Sequence, residues 1–502
     1  MTDPTSTPAA GARTSAGDIA VLRWLVAATF IVILNETIMI NAIPDLMEHF
    51  AVGTRAAQWL TTAFMLTMAV VIPVTGWFLQ RVTTRQAFGL AMLVFCTGTL
   101  IAASAPASMF WVLIVGRVVQ AAGTAVMMPL LMTTLMSVVP ETDRGRVMGN
   151  VTLAMSVAPA MGPAVSGLIL STLSWRWMFL LVLPVAASIA LVGLSRLKNV
   201  GEPTVGSIDV PSVIASALGF GSLVYGLSLI GDKGASVPPA ALIGAGLAVV
   251  ALFVWRQLSL QRGGSPLLDL RTLTHRTYTL SLVLMAFAFM GFLGSMILIP
   301  LYLQNIRDLS TLQTGLLMMP GGLAMGLLGP QVGKVFDRVG GRPLVIPGSI
   351  AITIALGLLT VVDVGTPYAL VLGAHILLMV GLACVFTPVF TLGLGAVPPP
   401  LYSHASSLLG ALQQVFGAIG TALSVAVLTA RQTSLLDGGA AKLEAYVGGM
   451  RWAFALSALL SIVVIGLAVV LPGRLPAGAD GHEGPVAEID ELLGEAEALS
   501  VN

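Results

Sequence analysis

Between residues 20 and 471 this chain passes through fourteen almost uncharged apolar stretches, each long enough to cross a bilayer as a helix. About 20 apolar residues suffice for one crossing. The predicted spans are 20–42, 55–79, 86–104, 108–136, 147–172, 176–194, 210–230, 237–257, 278–301, 313–335, 343–361, 368–394, 404–430 and 451–471. Only 9% of the 502 residues are charged, against about 25% in a soluble protein, while 56% are hydrophobic. Too few charges remain to cover a soluble surface of this size, which excludes a soluble enzyme, a nucleic-acid binder and a disordered chain. Membrane β-barrels need alternating strands of about 10 residues, and the sequence contains no such pattern. The expected fold is therefore an all-α integral membrane protein of 14 transmembrane helices.

The cations give the expected topology, because Lys and Arg concentrate on the cytoplasmic side of membrane proteins. With the N-terminus inside, sixteen of the 24 fall in inner segments, seven in outer segments, and one, Arg117, inside a span. Both termini are thus expected in the cytoplasm. The net charge of +1 conceals a −7 tail after Arg474 that offsets a basic remainder. Residues 1–19 are expected to be a disordered cytoplasmic leader and 475–502 an acidic disordered tail.

Two landmarks recur. Pro44 closes the first span and Pro300 the ninth, 256 residues on; Gly76 and Gly333 near the ends of the second and tenth spans are 257 apart. Such a repeat predicts two homologous, pseudo-symmetric six-helix halves, at 20–200 and 266–474, with an inserted pair of transmembrane helices at 201–265.

Glu36 is the one acid placed deep within a predicted span. A carboxylate in lipid is costly unless neutralised, paired or hydrated. It is a candidate to take up and release a proton or to pair with a cationic substrate; a purely structural carboxylate is the alternative. Arg117, in Leu113-x-x-x-Arg117-x-x-Gln120-Ala121-Ala122-Gly123, is predicted about 14 Å deep at 1.5 Å per residue. Both fall in the outer half of their spans, so a contact between them is sterically reasonable, either one that tunes proton release from Glu36 or a static structural pair. Ala158-Pro159-Ala160-Met161-Gly162-Pro163-Ala164-Val165-Ser166-Gly167 combines small residues that let helices approach with prolines that bend them. It suits a seal or pivot, or ordinary packing. The loop Gly333-Lys334-Val335-Phe336-Asp337-Arg338-Val339-Gly340-Gly341-Arg342 holds one acid among three cations, suited either to locking helix ends or simply to the positive-inside bias.

His375 and His404 have no metal-ligand spacing, and Cys96 and Cys384 lie in apolar runs. No phosphate-binding Gly-x-x-x-x-Gly-Lys-Ser/Thr loop and no hydrolase motif is present. No enzyme activity or cofactor is expected, and the energy source would be the proton gradient.

Together these segments resemble the fourteen-span drug:proton antiporters of the major facilitator superfamily. Leu34-Asn35-Glu36-Thr37-Ile38-Met39-Ile40-Asn41-Ala42-Ile43-Pro44 resembles the first-span motif, with Asn35 at its usual Asp position and the acid one residue later. Leu113 to Gly123 resembles the Arg-containing fourth-span motif, and Gly162-Pro163-x-x-x-Gly167 the core of the antiporter motif. Trp175 to Phe179 and Pro184 match the entry to span six. The loop motif is altered after Gly76, where Gln80 replaces its Asp and Thr83 its Gly, and is better kept at Gly333, Asp337, Arg338, Gly340 and Arg342. The segment around His404, Gln413 and Gln414 is most similar to the lincomycin-resistance branch. The resemblance implies proton-coupled antiport of a small lipophilic drug, cationic or neutral, across the cell membrane by alternating access. A proton and substrate site would comprise Glu36, Arg117, Gln120, Asn35 and Asn41, with Pro159, Gly162, Pro163 and Gly167 as the antiporter motif. Gly76, Arg81, Arg85, Gly333, Asp337, Arg338, Gly340 and Arg342 would form a cytoplasmic gate. A monomer without nucleic-acid partners is expected. A lipid or envelope-precursor flippase, and a non-transporting membrane sensor, are the alternatives.

Overall fold

The computed structural model describes residues 16–40, 42–200, 203–204, 206–230, 237–263 and 266–474. Asn41, the acidic tail and residues 1–15 of the expected leader lie outside the described residues. The fold is all-helical, with no strand among the described residues. Among the described residues fifteen α-helices run in the order α1 Ala16–Ile40, α2 Ile43–Phe50, α3 Thr54–Arg81, α4 Thr84–Ala103, α5 Phe110–Val138, α6 Arg144–Thr172, α7 Trp177–Arg196, α8 Val210–Ser228, α9 Pro239–Gln261, α10 Arg276–Asn305, α11 Thr311–Val339, α12 Arg342–Leu359, α13 Tyr368–Gly395, α14 Tyr402–Asp437 and α15 Lys442–Val470. All but the short α2 belong to segments long and apolar enough to cross a membrane, fourteen in total.

Local chemistry sets several boundaries. Thr83 and Gln86 form a capping box at the start of α4, and Ser310 and Gln313 another at the start of α11. Each satisfies helix N–H groups that have no intrahelical acceptor. Pro44 opens α2, and Ala51 closes it in the left-handed region at φ 50°.

The packing repeats between halves. In one half α4 and α3 lie against α5, and α1 against α6 and α7; in the other α12 and α11 lie against α13, and α10 against α14 and α15. Two seams join the halves, α6 with α11 and α3 with α14. The inserted helices α8 and α9 pack on each other, and α8 touches both α3 and α14. Its Tyr225 ring lies 5.5 Å from Trp59 of α3. The bundle has a basic end, carrying Arg81, Arg144 and Arg338, and a far end carrying α2.

Candidate transport site

The polar centre lies in the first half. Arg117 is 1% exposed, and its side chain crosses from α5 to two other helices. Nε donates to the Leu60 carbonyl of α3 at 3.4 Å, and Nη1 donates to Asn35 Oδ1 at 3.3 Å and Gln120 Oε1 at 3.0 Å. Gln120 in turn donates to Thr99 Oγ1 on α4 at 2.8 Å. The Phe64 ring covers the guanidinium, 4.1 Å from its centroid. A planar fork makes directed bonds of this kind, which a Lys ammonium would not reproduce.

Glu36 is half-buried on α1, within electrostatic reach of Arg117. No ion pair joins them among the described residues; the expected direct contact goes instead to Asn35. Adjacent helix positions point about 100° apart, so the side chain one residue earlier faces α5. The consequence is chemical. A buried cation is held by neutral amides and a carbonyl, leaving the nearby carboxyl free to change its protonation or its partner. The next residue, Thr37, meets the antiporter motif: a Cβ on Gly162 of α6 would lie 2.6 Å from Thr37 Oγ1. Gly162 therefore lets α6 reach the turn that carries Glu36. Pro159 is half-buried on the same helix. Gly167 faces Leu312 of α11, where an added Cβ would sit at 3.2 Å. The Pro163 side chain lies outside the described residues.

The eight expected gate residues separate into two groups. Gly76, Gly333 and Asp337 cross between halves. Asp337 accepts from the Gly145 and Arg146 backbone N–H groups at the start of α6, both at 2.9 Å, where helix dipole and free donors favour an anion. Gly333 packs against the Gly145 backbone, and Gly76 against His404 of α14. The others stay within their own half or its linker. Gly340, at φ 83°, packs on the Gly473 carbonyl, and Arg342 Nε donates to the Leu471 carbonyl at 2.8 Å, so both hold the end of α15. Arg81 stacks over Trp77, bonds Gln80 and packs against Gly206. The Arg85 and Arg338 side chains are exposed.

Composition had hidden other contacts at the basic end. Arg144 donates to the Met136 and Val139 carbonyls of its own half and to the Tyr402 hydroxyl of α14, at 3.2, 3.2 and 3.3 Å. Ser407 donates to the Ile72 carbonyl, and Gln80 Nε2 to the Pro400 carbonyl at 2.9 Å. Along the other seam, Gly322, Gly326, Gly329 and Gly333 meet Ala160, Val157, Gly149 and Gly145. Their spacing puts the four glycines on one helix face, a signal present in the sequence. The basic end is closed in this conformation.

Two six-helix halves joined by two seams, with buried polar side chains between the helices, define a multi-pass membrane transporter rather than an enzyme. The chain belongs to the Major Facilitator Superfamily, whose family model matches residues 25–421. A lincomycin resistance protein LmrB of Listeria innocua is 40% identical over 84% of this chain and 88% of its own length. A multidrug resistance protein B homolog of Mycobacterium tuberculosis is 30% identical over 82% of this chain and 77% of its own. Among solved structures, the human organic anion transporter MFSD10 superposes with a TM-score of 0.62, covering 90% of this chain and 99% of that one at 15% identity. The proton:xylose symporter XylE gives 0.61, covering 90% and 96% at 14% identity.

Proposed function

We propose that this protein exports drug-like lipophilic molecules, cationic or neutral, in exchange for protons, with the basic end and both termini in the cytoplasm. The observation that carries this reading is the Glu36 carboxyl, half-buried inside a span beside an arginine whose bonds go to neutral groups. Rearrangement of α1 against α5 would bring Glu36 to the guanidinium and favour proton release; withdrawal would favour uptake. The halves, taken as 20–200 and 266–474, would rock about this centre, with the seam at Asp337 closing the cytoplasmic side. Energy would come from the proton gradient, with no cofactor, and the working unit would be a monomer. Relatives named for lincomycin and multidrug resistance support the substrate class. A flippase needs a lateral opening; the glycine-packed α6–α11 seam and the position of α8 beside α3 and α14 favour passage through the ends.

Everted vesicles carrying the protein should accumulate a fluorescent lipophilic cation when their lumen is acidified. Glu36→Gln should lower the accumulation sustained by one pH unit at least about tenfold while leaving substrate binding measurable. Wild-type proton-driven accumulation in Glu36→Gln would remove the assigned role.

A further inference from the structure

The second half contains a counterpart of the Arg117 site, with a different side chain. Arg117 is the eighth residue of α5 and His375 the eighth of α13, 258 positions later. The same offset relates Gly123 to Gly381, which pack closely on α4 and α12 respectively. It also relates the acceptors: Arg117 Nε bonds the Leu60 carbonyl of α3, and His375 Nε2 lies 3.2 Å from the Met318 carbonyl of α11. One hydrogen bond, between equivalent helices at equivalent depth, is thus made twice by different chemistry.

The remaining partners are not repeated. The site of Gln120 is Leu378, and the 256-residue offset of the prolines sets Gly291 opposite Asn35. His375 is 3% exposed, and its Nδ1 is buried with no hydrogen-bond partner among the described residues. A carbonyl can only accept, so Nε2 carries the hydrogen and Nδ1 presents a lone pair. Gly321 of α11 lies directly against the ring, where an added Cβ would sit 2.6 Å from His375 Nε2. No charged or titratable side chain of α6, α10, α11, α12 or α13 acts on it among the described residues.

We propose that His375 is a second proton-binding site of the transport cycle, one that accepts a proton at Nδ1 when the α11–α13 contact opens to water and returns it when that contact closes. The step breaks one O–H bond of hydronium and forms one N–H bond, with the reverse on release. In the conformation described, an imidazolium would have a buried Nδ1–H without an acceptor and a charge without a counter-ion, an expensive combination. Protonation and closure of this contact therefore oppose each other. Glu36 and His375 would load separate protons in separate halves. The proposal rests on the proton-coupled reading above and adds a site to it.

The test uses the full-length protein reconstituted in vesicles, with His375→Gln as the main variant. Gln keeps a donor for the Met318 carbonyl but does not titrate. If His375 carries one proton per cycle, the substrate gradient sustained by one pH unit should fall about tenfold in His375→Gln, with substrate binding retained. A spin-label pair at exposed Ser195 and Lys334 reports opening of the basic end as a function of pH without requiring transport. The variant should lose one titration step there, while Glu36→Gln keeps it. An unchanged gradient together with an unchanged pH profile of the label distance would overturn the proposal, even with Glu36 confirmed. If wild type shows no proton-driven transport, the proton-coupled reading fails, and the label profile alone decides His375. If His375→Gln folds poorly, His375→Asn is measured in its place.

Discussion

The ends of α3 and α11 occupy equivalent places at the basic end, yet hold the opposite half by different chemistry. After α11 begins its last turn, the Asp337 carboxylate takes two backbone N–H groups at the start of α6. At the end of α3, the Gln80 amide gives one hydrogen bond to the Pro400 carbonyl just ahead of α14. The first joins a charge to a helix N-terminus, the second joins two neutral groups. Hydrogen bonds to a charged group contribute about 1.5–3 kcal/mol and neutral ones about 0.5–1.5. The α3 side adds further contacts: Ser407 donates to the Ile72 carbonyl and His404 packs against Gly76, while the charged Arg144 of α6 reaches Tyr402 of α14 beside them. One seam therefore depends on a single carboxylate and on close backbone contact, the other on several separate contacts of which that of Gln80 is a neutral one.

Three substitutions test that contrast. Gly329→Leu should have the largest effect, because even a Cβ there would lie 2.6 Å from the Gly149 carbonyl, with Thr152 at 3.3 Å. The α6–α11 seam should fail to close, transport should fall to background, and crosslinks across the basic end should disappear. Asp337→Asn comes next. Loss of the charge should shift the population open at the basic end by about 10- to 100-fold, matching about 1.5–3 kcal/mol, as read by accessibility of cysteines introduced on α6. Gln80→Ala should shift it less, by about 2- to 10-fold. An effect of Gln80→Ala equal to that of Asp337→Asn would break the comparison.

Much of this was legible beforehand, for identifiable reasons. A span must be apolar for about 20 residues, so all fourteen helices could be placed. Their ends were less visible, because helices outrun the apolar stretch: α15 begins at Lys442 rather than 451, and α14 continues to Asp437 rather than 430. The eight-residue α2 is too short for any span criterion. Glu36 and Arg117 stood out because charges are rare in the spans, but the partner of Arg117 depended on the rotation of α1, which one residue changes by about 100°. Asn35 was therefore the harder assignment. His375 lay in an apolar run without a neighbour at ligand spacing, and only the packing of α13 on α11 gives it an acceptor. The glycines of α11 spelled a close-packing face, while which helix would use it was a tertiary fact. The repeat arithmetic located the inserted pair between the halves in sequence, but not beside the α3–α14 seam in space.

That pair offers the smallest and most specific test of the two seams. Asp209 caps α8 through the Ser212 N–H at 3.0 Å, and Arg256 of α9 binds it with a fork, Nε at 2.7 Å and Nη2 at 2.8 Å. The Arg256 hydrogen bond, foremost, holds the Asp209 carboxyl down at about 2, below its ordinary 3.8. A carboxyl held low stabilises the fold fully above its unfolded value and loses that contribution only as pH falls through the folded one. Between pH 8 and 5 the contribution should therefore be constant. Asp209→Asn should lower the melting temperature by the same few degrees at both pH values, with transport changed less than about twofold. The loosening should also be one-sided. Thr204, in the linker to α8, donates its N–H to the Gln80 carbonyl at 2.8 Å, so crosslinking at the α3–α14 seam should weaken while the Asp337 seam stays as in wild type. A pH-dependent melting difference would show that Arg256 does not hold Asp209, and equal weakening of both seams would show that the inserted pair does not belong to the α3 side.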